Sequence, residues 1–169
     1  KLVTSVFGYN LLVMKLVSVA GVTATMVLGA TLVRRRFGDR AGLLFILLLL
    51  CGPCMLSECA AMVRMYSWAM FFVTASGLLA YEIYEATKAK WIFFVLASVA
   101  GMYTHTYALI AIGFVYLFLL IAMIRNRKGR LRGWILCAAA TFVLYAPWFF
   151  VLLRQVGMVS GNYWIAPLS

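Results

Sequence analysis

Cys51, Gly52, Pro53 and Cys54 set two thiols at C-x-x-C spacing, the arrangement used in dithiol–disulfide exchange. That chemistry requires the first thiol at a helix N-terminus just after a strand, where the helix dipole and access to solvent favour thiolate. Residues 41–50 instead form a leucine-rich run that reads as a membrane helix, and apolar surroundings disfavour thiolate. Pro53 then kinks or ends that helix near the membrane surface, and Gly52 gives room for the bend. A metal site built from Cys51, Cys54, Cys59 and Cys137 is no better founded, because Cys137 lies in a separate apolar run and no second C-x-x-C occurs. We read the four cysteines as small buried hydrophobes.

Few other side chains could do chemistry. Glu58 and Arg64 stand in SECAAMVRMYS, and His105 stands in GMYTHTYA between Tyr103, Thr104, Thr106 and Tyr107. Arg154, Gln155, Asn162, Tyr163 and Trp164 follow the last apolar run. A guanidinium is a fixed-charge fork of donors suited to phosphate, so Arg64 either holds such a group or snorkels to lipid headgroups. Glu58 precedes Arg64 by six residues, so the two would not face each other on one continuous helix and a direct pair needs a break between them. Glu58 serves either as a general base or as an acid stabilised by a helix N-terminus. His105, the single histidine, either relays a proton or binds a metal, or is a hydrogen-bonded residue at a helix interface. Glu82 and Glu85 read as the polar end of a helix.

The elements that must position these residues are membrane helices. The chain has 169 residues, 66% of them hydrophobic and only four acidic, with a mean hydropathy of +1.03. A soluble domain needs more polar surface, about 25% charged residues. Apolar runs cover residues 16–33, 41–57, 65–84, 91–124 and 134–153. A crossing takes about 20 residues, so the fourth run is too long for one, and the small and polar residues from Gly101 to Thr106 divide it into a short helix, a turn and a second helix. We therefore expect an all-α integral membrane protein, a polytopic bundle of about six transmembrane helices forming one domain.

The net charge of +11 follows the same topology. With the division at residues 101–106, Arg34, Arg35, Arg36, Arg40, Lys88, Lys90, Arg125, Arg127, Lys128, Arg130 and Arg132 fall on one side. Lys1, Lys15, Arg64 and Arg154 fall on the other, so eleven positive charges face four. The positive-inside rule assigns the crowded side to the cytoplasm. Anionic lipid headgroups account for the basic loops without nucleic acid. Glu58, Arg64 and His105 then share the extracytoplasmic side. Trp91, Trp134, Trp148, Tyr163 and Trp164 read as interfacial anchors.

RMYSWAMFF (64–72), YTHTYA (103–108), YAPWFFVLLRQ (145–155) and YWIAP (163–167) resemble, in order and spacing, the multi-spanning glycosyltransferases of the GT-C type. The likeness is to the bacterial branch related to protein O-mannosyltransferases and lipid A aminoarabinose transferases. RRRFGDRAGLL (34–44) resembles that branch's loop between two early helices. The resemblance implies transfer of a sugar from a polyprenyl-phosphate carrier to an acceptor on the extracytoplasmic face of a cell membrane. It implies donor-phosphate binding by Arg64, with Tyr66 beside it, and aligns His105 with the histidine of the family's Y-T-H element without fixing its role. Our own candidates are Glu58 and His105 as catalytic residues and Tyr103 as a further substrate-binding residue. A divalent metal is compatible with this chemistry, and the sequence singles out no ligand set for one.

Two departures stand out. Met62 occupies the place, two residues before the arginine, where the family often has an acid. The family's catalytic Asp lies in the first extracytoplasmic loop, which would precede Lys1, so we expect this chain to be part of a longer protein and inactive alone. The contrasting expectation is a non-catalytic transporter or flippase subunit that uses Arg64 and His105 to hold an anionic lipid or solute. Inverted-repeat transporters show two matching broken segments, and only one broken run is found here.

Overall fold

A computed structural model describes residues 10–52, 65–85, 90–126 and 129–161. These residues form six α-helices, with no strand among them: α1 (Leu11–Phe37), α2 (Asp39–Cys51), α3 (Tyr66–Glu85), α4 (Trp91–Thr104), α5 (Thr106–Arg125) and α6 (Leu131–Gly161). Three of them, α1, α5 and the Leu131–Arg154 part of α6, are long and apolar enough to cross a membrane. The 14 residues of α4 extend about 21 Å and the 13 of α2 about 20 Å, at 1.5 Å per residue. Both fall short of a hydrocarbon core of about 30 Å. α3 has 20 residues but carries two glutamates and several hydroxyls.

The turn between α1 and α2 is a single residue. Gly38 takes φ +88°, a region that penalises any Cβ, and its N–H donates to the Arg34 carbonyl at 2.9 Å. The stretch expected as a loop is therefore helical on both sides. Arg34, Arg35 and Arg36 occupy the last turn of α1, and Asp39 the first turn of α2, each charge matching the end dipole of its helix. Two other helix ends bear on the expected spans, one as Pro53 led us to expect and the other as a correction. The second span ends as a helix at Cys51, where Gly52 is extended as a residue before proline must be. The last runs past residue 153 to Gly161 with Pro147 inside it, so Arg154 and Gln155 belong to a helix rather than a loop.

Small side chains let the helices approach, as in membrane bundles, where packing rather than the hydrophobic effect holds helices together. Ser18, Gly21, Val22, Thr25 and Gly29 form the buried stripe of α1. A Cβ at Gly21 would lie 2.9 Å from Ser67 Oγ, and one at Gly29 would run into the Phe45 ring. Gly101 allows α4 to meet Phe72 and Ile112, and Gly133 allows α6 to meet the Trp91 ring. Two hydroxyls bond within their own helix: buried Thr25 donates to the Gly21 carbonyl at 2.8 Å and half-buried Thr104 to that of Ala100 at 2.6 Å. The main core of Ala80, Ile83, Phe94, Leu119 and Met123 joins α3, α4 and α5, with Trp91 and Trp134 packed against it. These two tryptophans thus face protein, and Trp134 Nε1 donates to the Tyr116 carbonyl.

Cross-helix contacts fix the directions. Arg36 meets Glu82, while Trp68 Nε1 donates to the Val17 carbonyl, so α1 and α3 run parallel. Tyr66 meets His105 and Ile83 packs with Met123, so α5 runs parallel to them. One end of the bundle, the basic end, gathers Arg34 to Arg36, Arg40, Lys90, Arg125, Arg130 and Arg132. Two carboxylates answer them, Asp39 at 2.6 Å from Arg34 and Glu82 at 2.8 Å from Arg36, and Arg130 donates to the Ile83 carbonyl at 2.8 Å. Glu82 therefore ties two helices together rather than merely ending one.

Candidate functional site

The end opposite the basic one holds the histidine. The expected division of the long apolar run occurs there, and its turn is one residue, His105, extended at φ −157° and ψ 142°. His105 is at once the C-cap of α4 and the N-cap of α5. Its N–H donates to the Gly101 carbonyl at 3.2 Å, and its carbonyl accepts from Ala108 at 3.0 Å. The ring nitrogen Nδ1 accepts the Tyr107 N–H at 3.1 Å, which satisfies one of the donors that a helix start leaves unpaired.

That cap decides what the imidazole offers. With the Nδ1 lone pair engaged by a backbone N–H, the neutral ring carries its proton on Nε2 and is a donor there. In this tautomer the ring donates to an anion or a carbonyl oxygen, while binding a metal through Nδ1 would require the cap to open. The ring is held from two sides, stacked on Tyr107 at 5.2 Å and tilted against Tyr66 at 5.0 Å between centroids. Tyr66 opens α3, and Ser67 and Ala69 beside it are buried, Ser67 against Gly21 and Ala69 in a cluster with Ala108 and Ile112. The approach of α3 to α1 and α5 thus positions the Tyr66 ring. Ser67 Oγ is buried with no hydrogen-bond partner among the described residues.

Two of the expected site residues, Tyr66 and His105, are brought together. Tyr103 is turned to α6 instead: its hydroxyl donates to the Leu144 carbonyl at 3.0 Å, and its ring meets Tyr145 and Trp148, each at 5.6 Å. Pro147 has no N–H for the Val143 carbonyl, so the helix ladder is open one residue before the carbonyl that this hydroxyl engages. Glu58 and Arg64 lie outside the described residues, as do Cys54, Cys59, Asn162, Tyr163 and Trp164. Cys51 is exposed at the C-terminal end of α2, and Cys137 is buried, so the expectation of buried cysteines fails at Cys51 and holds at Cys137. The C-x-x-C stretch begins where a helix ends, the reverse of the arrangement that dithiol exchange uses. Among the described residues no group of three or more His, Cys, Asp or Glu side chains could hold a metal ion.

The capping role of His105 and its stacking on Tyr107 are absent from the sequence reading, although the H-T-Y order after a broken apolar run was the available signal. No protein-family model, curated protein or solved structure matches the chain.

Proposed function

We propose that the chain is the membrane part of a GT-C-like glycosyltransferase, a bundle of about six crossings with its basic end in the cytoplasm. In this reading a sugar passes from a polyprenyl-phosphate donor to an acceptor on the extracytoplasmic face. The observation that carries the proposal is the pairing of His105 with Tyr66 at the end of the bundle away from the arginines. Tyr66 follows Arg64 by two residues in the sequence, and in this reading the Arg64 guanidinium acts together with the Nε2 donor of His105. Two donors of this kind suit a phosphate leaving group, which gains negative charge as the sugar departs. Glu58 is the acceptor's base in this scheme.

The test uses the full-length protein in vesicles with a polyprenyl-phosphate sugar. His105→Asn keeps a capping side chain and removes the Nε2 donor. We expect unchanged thermal stability with transfer reduced by about tenfold or more, the loss of one charge-assisted contact. Arg64→Ala lowers transfer as well, and cysteines placed at positions 64 and 130 label from opposite compartments. Transfer unchanged in both variants refutes the site, and labelling from one compartment refutes the topology. A transporter or flippase subunit would bind the lipid phosphate and give no transfer product at all.

A further inference from the structure

A second feature lies at the basic end, far from His105. A groove of about 800 Å³ runs between α3 and α5. Its floor is cut by Gly77 and Ala80, its rim is raised by Phe114 and Phe118, and Arg125 closes it at the basic end. A Cβ at Gly77 would meet nothing within 4 Å, so the floor is open space. The rim phenylalanines are 66% and 76% exposed, an apolar surface that water would leave uncovered at a cost. From Phe114 to Arg125 the helix rises about 16 Å, at 1.5 Å per residue. Half of a hydrocarbon core of about 30 Å is almost the same length. Arg125 is exposed and makes no ion pair among the described residues, and Asn126 beside it is engaged as a cap on the Ala122 carbonyl.

We infer that this groove seats one anionic phospholipid of the leaflet on the basic side, an acyl chain lying along Gly77 and Ala80 and the phosphate on the Arg125 guanidinium. Length and charge select this occupant. The apolar trench is one leaflet deep, and its single unpaired cation falls at headgroup level, where each basic side chain attracts anionic lipid. The inference rests on α5 crossing a membrane, and not on sugar transfer.

Native mass spectrometry of the detergent-purified full chain tests it, with phosphatidylglycerol and phosphatidylcholine of identical acyl chains added in competition. Phosphatidylglycerol is expected to be retained about fivefold over phosphatidylcholine, the ratio that roughly 1 kcal/mol per basic residue gives. Arg125→Ala removes the preference and leaves residual binding of both lipids. Gly77→Leu fills the floor and lowers retention of both, whereas Gly113→Leu, equally open but off the groove, leaves retention intact. Equal retention of the two lipids by the parent chain overturns the inference. So does an unchanged preference in Arg125→Ala, or a Gly77→Leu variant that alters oligomeric state without altering lipid retention, which would mark the groove as a contact between copies. Loss of sugar transfer has no bearing on these readouts, so the two proposals fail separately.

Discussion

Gly21→Ala isolates the contact that sets Tyr66 in place. The added methyl would lie 2.9 Å from Ser67 Oγ, 3.0 Å from its Cβ and 3.1 Å from its backbone carbon. The hydroxyl can rotate away, but the backbone carbon cannot, and carbon atoms prefer about 3.5–4.0 Å. α1 and α3 must therefore separate by roughly 0.5 Å at this level. Overpacking of this kind costs about 1–3 kcal/mol. Replacing a helical glycine by alanine returns about 0.5–1 kcal/mol, since the unfolded chain loses freedom. The net expectation is destabilisation by about 1 kcal/mol, within a range of about 0–2.5 kcal/mol. Gly113→Ala is the matched control, because nothing lies within 4 Å of its Cβ and only the favourable part remains. Reversible unfolding of both variants in mixed micelles, by SDS titration with a helical signal, measures the difference. Gly21→Ala should fall below the parent chain and Gly113→Ala rise above it, and in vesicles only the former should lower transfer. Equal stabilities for the two variants would refute the close α1–α3 approach, and with it the account of how Tyr66 is held.

Two further outcomes follow from the packing. Phe94→Ala removes a fully buried ring that lies 4.6 Å from the Tyr116 ring and should cost toward the lower part of about 3–5 kcal/mol, because lipid, unlike water, gives little transfer penalty for the lost apolar surface; the same SDS titration reads it. Arg36→Glu or Glu82→Arg alone should lower the thermal midpoint, and the double swap should recover it, with a smaller effect in high salt because the pair is part-exposed; midpoints at two ionic strengths, arranged as a double-mutant cycle, decide this.

Composition and charge placement alone determined that this chain is a set of apolar helices with its cations gathered at one end. Both are local properties: a run of apolar side chains reads the same whatever it packs against, and basic residues follow the helix ends they flank. The break at residues 101–106 was legible for the same reason, since polar and small residues interrupted an apolar run. The stripe of Ser18, Gly21, Thr25 and Gly29 was also present in the sequence, but it does not name its partner. Tertiary structure decided that this partner includes Ser67, that Arg36 meets Glu82 across 46 positions, and that Tyr103 turns to α6 while Tyr66 turns to His105. Those outcomes depend on which helices lie side by side and in which direction they run. A one-dimensional pattern lacks that information because every apolar face in a membrane is an acceptable neighbour for every other. The tautomer of His105 belongs with them, fixed by a single backbone N–H that only the turn between α4 and α5 brings to Nδ1.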